Sequence, residues 1–117
     1  MGIRAARTAA GMSQSQRRAL PGPLSRRLAQ HRDSIRPLVG AHHAKNPRVF
    51  GSVARGEDRP GSDIDFLVAF ADEAPLLDEI GLRLALTDLM QAEVDVVADD
   101  ALHGVSRERV LGEAVPV

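Results

Sequence analysis

The sequence predicts an α+β protein in which a small mixed β-sheet carries helices packed on one face. Short apolar segments with a two-residue alternation are interspersed with longer segments of helical periodicity, in the order α-β-β-α-β-α. The chain has 117 residues, enough for one domain with a real core but too few for two ordinary domains. We therefore predict one folded domain over residues 23–117, preceded by a basic arm over residues 1–22.

The arm is predicted to be disordered because it is rich in Ala, Arg, Ser, Gln and Gly and ends beside Pro21-Gly22-Pro23. Charge is also divided unevenly: residues 1–48 hold ten bases and one acid, whereas residues 49–117 hold five bases and fifteen acids. Such a division is typical of an arm or face that meets a polyanion or an oppositely charged partner. It is equally compatible with a solvated helix face and a loose tail, and composition leaves both interpretations open.

Composition excludes several classes of protein. The chain has no Cys, so disulfides and thiolate metal sites are excluded, which is typical of a reducing, intracellular setting. No apolar stretch approaches the ~20 residues of a membrane span, and residues 1–11 contain arginines but no apolar core of a signal peptide. These observations predict a cytoplasmic protein without a membrane partner.

Three short strands are predicted. The first, Arg48–Phe50, follows a turn at Asn46-Pro47. The second, Asp63–Phe70, and the third, Val94–Val97, each alternate between acidic and apolar residues at their start. Because side chains two apart share a face of a strand, Ile64, Phe66 and Val68 should face the core and the acids should face away from it.

Helices are predicted before, between and after these strands. The first begins at Leu24, and Pro37 should kink it or divide it near Ser34, because the proline ring removes a backbone donor. A single helical turn is expected over Val53–Gly56, and a last helix over about Ser106–Glu113. The second main helix is predicted over Leu76–Ala92, with the inward positions Leu77, Ile80, Leu84 and Met90.

Asp63, Asp65 and Asp95 are the candidate catalytic and metal-binding residues. Two carboxylates a few ångströms apart repel each other, and this costs stability unless cations are present. Two Mg²⁺ ions about 3.5–4 Å apart would relieve the repulsion and clamp the attacking and leaving oxygens of a phosphoryl displacement. If the strand of Asp95 lies beside that of Asp65, the three acids converge, and Asp95 can also accept a proton from the attacking hydroxyl. Taken alone, Asp95 is equally compatible with a solvated acid.

The candidate nucleotide-binding residues are Gly51, Ser52, Arg55 and Ser62. Gly51-Ser52 precedes the Asp-x-Asp pair by ten residues. A glycine lets the backbone approach a phosphate closely, and a serine N–H or hydroxyl at a helix start can bond to its oxygens. Arg55 is within reach of a phosphate or an acid, and a surface salt bridge is an equally good interpretation of it.

These residues resemble the signature of the polymerase-beta-type nucleotidyltransferase superfamily, and most closely its smallest branch, the minimal nucleotidyltransferase (MNT-domain) antitoxins found beside HEPN toxins. The similarity covers roughly residues 24–117. The departures from the pattern are Phe66, where Leu is commoner, and the basic arm. The segments that carry the resemblance are Gly51-Ser52-Val53-Ala54-Arg55-Gly56, Ser62-Asp63-Ile64-Asp65-Phe66-Leu67-Val68, Val94-Asp95-Val96-Val97 and residues 109–117.

The resemblance implies the minimal nucleotidyltransferase fold and a specific function. In the family the paired acids bind the metals, the Gly-Ser turn binds the triphosphate and a third acid completes the site, which are the roles expected for Asp63 and Asp65, for Gly51 and Ser52, and for Asp95. The family also implies an antitoxin that transfers AMP from ATP to a tyrosine of its HEPN ribonuclease partner, with which it could form a hetero-oligomer. Two alternatives stay open: a binding-only antitoxin that masks its toxin, and a transferase for a small molecule such as an aminoglycoside.

Other sites have weaker support. His42 and His43 adjoin and should point apart, while His31 and His103 lack a partner at ligand spacing. The chain contains neither a Gly-Lys-Ser/Thr P-loop nor a Gly-x-Gly-x-x-Gly fingerprint. Its arginine-rich helix has no aromatic residues beside it to stack on bases, so nucleic acid is not expected as a direct target.

Overall fold

A four-stranded sheet forms the centre of the computed structural model, which describes residues 22–117. The predicted basic arm therefore lies, except for Gly22, outside the described residues. In chain order the elements are α1 (Pro23–Gln30), α2 (Arg32–Ala41), β1 (Ala44–Phe50), α3 (Ser52–Arg55), β2 (Ile64–Phe70), α4 (Leu76–Met90), β3 (Val94–Ala98), a 3₁₀ turn (Asp99–Ala101), α5 (Gly104–Glu113) and β4 (Val115–Pro116).

The sheet is mixed, as predicted. Its strand order is β3-β2-β1-β4. Strand β1 is antiparallel to both β2 and β4, whereas β2 and β3 are parallel. A parallel pair needs a long crossover connection, and here α4 supplies it. This crossover brings the start of β3 beside the start of β2, which is where the candidate acids lie.

The core lies on one face of the sheet, between the strands and α1, α2 and α4. The alternation predicted for β2 is confirmed, because Ile64, Phe66 and Val68 are fully buried members of the core. Full burial of an aliphatic or aromatic side chain contributes about 1.5–3 kcal/mol, so this layer dominates the stability of the fold. The helices contribute Leu24, Leu28, Ile35, Val39, Leu82, Leu86 and Met90.

The first helical segment is divided at a different point from the one predicted. It breaks at His31, whose backbone (φ −106°, ψ 10°) leaves the helical region, and not near Ser34. Pro37 lies within α2, which continues through it. A proline in a helix removes one donor, its own, and α2 tolerates that loss.

Strand β1 is longer than predicted because Asn46-Pro47 forms a bulge and not a turn. The pairing of β1 with β2 shifts register between Lys45 and Arg48, and Asn46 has a positive φ of 56°. Proline cannot donate to a sheet ladder and is tolerated at such bulges. Strand β4 was not predicted at all, since two residues are too few to show an alternation.

Helix α4 faces the sheet with a different stripe of residues from the one predicted. Of the predicted inward positions only Met90 is buried, whereas Leu77, Ile80 and Leu84 are 75%, 40% and 56% exposed. The buried stripe is Leu82, Leu86 and Met90, and the exposed stripe adds Leu76. Both stripes follow the four-residue spacing of a helix face, so periodicity alone could not choose between them.

No helix within residues 22–117 has the length and apolar character needed to cross a membrane.

Candidate active site

Asp65 and Asp95 are paired neighbours on adjacent parallel strands. The register of β2 with β3 sets Asp65 opposite Asp95, with Ile64 opposite Val94. Paired residues of neighbouring strands share a face of the sheet, so the two carboxylates lie side by side. Asp63 stands two residues before Asp65, immediately ahead of the strand. The strand of Asp95 therefore lies beside that of Asp65, which is the condition that the sequence left open.

The acids occupy the sheet face opposite the core. Asp65 alternates with Ile64 and Phe66, which are both fully buried in the core. On its other side Asp65 is paired with Phe50 of β1. Phe66, the departure from the family pattern, thus points away from the acids. The core fixes which way β2 faces, and that orientation places Asp65 on the opposite face of the sheet.

The surroundings of Asp65 disfavour its charged form. Partial burial raises the pKa of the Asp65 carboxyl above its ordinary value, and the neighbouring charges of Asp95, Asp63 and Glu113 raise it further. Arg55 acts in the opposite direction and lowers this pKa. Three acids and one arginine therefore act on the Asp65 carboxyl at this end of the sheet.

The donor set fits a divalent cation in its chemistry. Carboxylate oxygens are the ligands that Mg²⁺ prefers in proteins, and a cation would relieve the repulsion that raises the pKa of Asp65. Among residues 22–117, no three His, Cys, Asp or Glu side chains are close enough together to form a ready-made metal cluster. The acids are thus adjacent without already forming a complete ligand shell.

Gly51 lies against Asp65 and turns the chain from β1 into α3. Its backbone (φ 73°, ψ −150°) occupies a region that is essentially restricted to glycine. A Cβ at this position would overlap Oδ2 of Asp65, so a side chain is excluded by space as well as by conformation. Ser52 then begins α3, where the first backbone N–H groups have no partner within the helix. The predicted Gly-Ser turn is therefore adjacent to the acids.

Arg55 is held by two acids at the end of α3. Its Nε donates to Oε1 of Glu57 at 2.8 Å, and one Nη donates to Oε1 of Glu113 at 3.3 Å. Glu113 also accepts a hydrogen bond from the Gly51 N–H at 2.7 Å. Of the two interpretations left open for Arg55, the salt bridge is present, and it holds the guanidinium near the glycine turn.

The nucleotidyltransferase domain family matches residues 28–116 of the chain, a range that includes the glycine turn and all three candidate acids. The chain belongs to this family. The matched range covers most of the 117 residues and ends one residue before Val117.

Two curated relatives of this nucleotidyltransferase domain carry the same kind of name. A candidate protein adenylyltransferase of Methanocaldococcus jannaschii is 40% identical over 83 residues, which are 71% of this chain and 89% of that protein. Protein adenylyltransferase MntA of Thermococcus cleftensis is 36% identical over 90 residues, which are 77% of this chain and 88% of that protein.

Solved structures share the fold. A candidate minimal nucleotidyltransferase superposes with a TM-score of 0.73 and 45% identity, covering 80% of this chain and 95% of that one. A toxin–antitoxin crystal structure with AMP-PNP superposes with a TM-score of 0.60 and 20% identity, covering 79% of this chain and 70% of that one. The minimal nucleotidyltransferase fold expected from the motif is therefore confirmed.

The loop before the acids is closed by Ser62. The hydroxyl of Ser62 accepts a hydrogen bond from the Arg59 N–H at 2.8 Å, and the Ser62 N–H donates to the Arg59 carbonyl at 2.9 Å. In this structure Ser62 thus shapes the turn that leads into Asp63. A contact between Ser62 and nucleotide stays a prediction.

Two acids with structural contacts were missed in the sequence: Asp58, which caps a helix, and Glu113, which contacts the site. Asp58 is buried at 6% exposure and caps α1, accepting hydrogen bonds from the Leu24 N–H at 2.7 Å and the Ser25 hydroxyl at 3.0 Å. Glu113 lies in the C-terminal segment that resembles the family but outside its acidic motif. The hydrogen-bond partners of Asp58 are 34 and 33 residues away in the sequence, and Gly51 is 62 residues away from Glu113. Neither acid therefore produces a local sequence pattern.

Proposed function

We propose that this protein is an Mg²⁺-dependent protein adenylyltransferase that acts as the antitoxin of a toxin–antitoxin pair. It transfers AMP from ATP to a tyrosine hydroxyl of a HEPN ribonuclease toxin and thereby silences the toxin. The observation that carries the proposal is the juxtaposition of three residues, because Asp65 is paired with Asp95 across parallel strands and Gly51 lies against Asp65. Nucleotidyl transfer needs such acids beside a turn that can hold a triphosphate.

The names of relatives support the choice of acceptor. The Methanocaldococcus jannaschii and Thermococcus cleftensis relatives are both named as protein adenylyltransferases. The toxin–antitoxin structure with AMP-PNP supports a nucleotide on this fold and a toxin as its companion.

Each candidate residue has a defined part in the reaction. Gly51 lets the backbone approach the triphosphate closely, Ser52 holds it through the N–H groups at the start of α3, and Arg55 and Ser62 contribute further contacts to it. The acceptor oxygen attacks the α-phosphorus, the bond from that phosphorus to the bridging oxygen breaks, and pyrophosphate leaves. Asp95 takes the proton of the attacking hydroxyl.

Asp63, Asp65 and Asp95 would hold the metal. Bound Mg²⁺ supplies positive charge that offsets the charge on the phosphate oxygens. The acids around Asp65 support this assignment, because they contribute, after burial, to its raised pKa and a cation beside that carboxylate would offset their repulsion.

Transfer of labelled AMP tests the proposal. The protein is incubated with α-labelled ATP, Mg²⁺ and the protein encoded by the neighbouring gene, and the label on that second protein is measured. We expect labelling that is lost with EDTA and lost in the Asp63→Asn/Asp65→Asn double variant. Asp72→Asn, in the exposed loop after β2, is the matched control and should label as wild type does.

The outcomes separate the competing functions. Equal labelling by the double variant and the wild type contradicts the assigned acids. Toxin neutralisation in cells by the double variant, without labelling, indicates a binding-only antitoxin. Labelling of an aminoglycoside in place of the protein indicates a small-molecule transferase.

A further inference from the structure

The carboxylate of Glu113 is in direct contact with the glycine turn. Gly51 N–H donates a hydrogen bond of 2.7 Å to Oε2 of Glu113, although the two residues are 62 positions apart in sequence. An N–H bond of this length to an ionised acceptor is among the stronger ones in proteins. Glu113 is a fourth acid at the site, and the reaction proposed above assigns it no part.

Gly51 needs support from outside its own backbone. Glycine has more conformational freedom than any other residue, so its conformation in a turn is fixed by its neighbours. Here Asp65 lies where a Cβ would be, and Glu113 binds the N–H group. Together the two contacts set the direction in which the chain enters Ser52 and α3.

The same carboxylate also holds Arg55. One Nη of Arg55 lies 3.3 Å from Oε1 and 3.4 Å from Oε2 of Glu113. The hydrogen bond to Glu57, and then the charges of Glu113 and Glu57, raise the pKa of the Arg55 guanidinium. Glu113 is therefore the one side chain that joins the Gly51 backbone to Arg55 among the contacts of residues 22–117.

The structure after Glu113 keeps this carboxylate in place. Glu113 is the last residue of α5, and the chain then pairs with β1 as strand β4. Val117 is buried at 4% exposure, and its N–H donates to the Pro47 carbonyl at 3.0 Å. Arg36 donates to the Val117 carbonyl at 2.7 Å. Glu113 is thus held between a helix and an anchored strand.

We propose that Glu113 is a positioning residue for nucleotide binding: it fixes the Gly51 turn and Arg55 in the arrangement that receives the triphosphate. This inference rests on the proposed nucleotidyl transfer and adds Glu113 to the residues that prepare the nucleotide-binding turn. Glu113 acts through Gly51 and Arg55 and does not touch the reacting atoms. The opposite role is a carboxylate that competes with the triphosphate for the same donors, and its removal would tighten nucleotide binding.

Nucleotide affinity separates these roles. Wild type, Glu113→Ala, Glu113→Gln and Glu108→Ala are titrated calorimetrically with AMP-PNP in the presence of Mg²⁺, and the Tm of each is recorded. Glu108 is exposed on the same helix and is the control. We expect Glu113→Ala to raise the Kd about tenfold, which corresponds to about 1.4 kcal/mol. Glu113→Gln should raise it only about threefold, because its amide oxygen still accepts the Gly51 N–H while its charge toward Arg55 is lost.

The remaining outcomes overturn the inference. A Kd for AMP-PNP that is unchanged or lower in Glu113→Ala rejects the positioning role. The role is also rejected if Glu113→Ala and Glu113→Gln lose nucleotide affinity equally and in proportion to a fall in Tm. If Glu113→Ala does not fold, Glu113→Gln decides, because it keeps the size of the side chain and one acceptor. Wild type that fails to bind AMP-PNP with Mg²⁺ rejects the proposed function and this inference with it. Normal wild-type binding with an unaffected Glu113→Ala rejects the role of Glu113 alone.

Discussion

Asp65 and Asp95 lie opposite each other in the register of two parallel strands. The repulsion between the two carboxylates lowers the stability of the fold. Strand β2, which carries Asp65, buries Ile64 and Phe66 completely on its other face. Because side chains alternate strictly along a strand, burying the core residues forces Asp65 toward Asp95. The apolar core thus holds together two charges that would otherwise separate.

Replacing Asp65 by Asn should stabilise the protein at neutral pH while abolishing AMP transfer. The pKa of Asp65 is raised in the folded state, so the ionised carboxylate is less stable there than in the unfolded chain. The cost is fully present above the folded pKa. It shrinks as pH falls through that pKa, and it is absent below the unfolded value of about 3.9. The Tm of Asp65→Asn minus that of wild type, measured by thermal denaturation without Mg²⁺, should be positive at pH 7 and decrease toward acid.

The control for this experiment is Asp72→Asn, an exposed carboxylate in the loop after β2. It removes the same negative charge from the chain but does not change the burial or the repulsion that Asp65 experiences. A stabilisation of equal size in both variants would point to net charge as the cause and would contradict the local repulsion.

Mg²⁺ alone should raise the Tm of the wild type. A ligand that binds the folded state and not the unfolded one stabilises the fold by mass action, and a cation at these acids also removes their repulsion. In Asp65→Asn the increase should be smaller or absent. Thermal denaturation over a series of Mg²⁺ concentrations measures this, with Na⁺ at matched ionic strength as control. A Tm increase that is the same in the variant places the ion elsewhere.

Gly51→Ala should cost more stability than a glycine substitution at another strained position. At Gly51 the backbone has a φ of 73° and an added Cβ would overlap the Asp65 carboxylate, whereas Gly61 has a φ of 90° with open space around it. The backbone term is about 1–3 kcal/mol at each site. Chemical denaturation of Gly51→Ala and Gly61→Ala gives both losses, and the excess in Gly51→Ala reports the steric contact. Losses of equal size would show that Asp65 moves aside freely.

Asp58→Ala should lower the free energy of unfolding by about 2 kcal/mol, because it leaves the buried Leu24 N–H and the Ser25 hydroxyl without their acceptor. For a domain of this size that is a fall in Tm on the order of 10 °C. Gly22→Ala should act in the same direction, since its Cβ would collide with the Asp58 carboxylate. Calorimetry measures both, and a loss for Asp58→Ala no larger than for the exposed Asp72→Ala would refute the cap.

The sequence was informative where physics is local and periodic. Alternation in β2 placed Asp65 opposite the core, and the ten-residue spacing after Gly51-Ser52 identified the turn beside it. The contacts of Asp58 and Glu113 could not be found in this way, because each depends on where distant segments meet in the folded chain. Strand β4 has only two residues and produces no pattern at all.

The two apolar stripes of α4 show the same limit, and substitutions within one helix can test the stripe that the structure selects. Leu82 is fully buried, whereas Leu84 is 56% exposed. Both substitutions remove the same atoms and change helix propensity equally, so their difference reports burial alone. Leu82→Ala should cost about 2–5 kcal/mol by urea denaturation, and Leu84→Ala about 0.5 kcal/mol or less. The reverse ranking would mean that α4 is turned on the sheet as periodicity first suggested, with Leu84 inward.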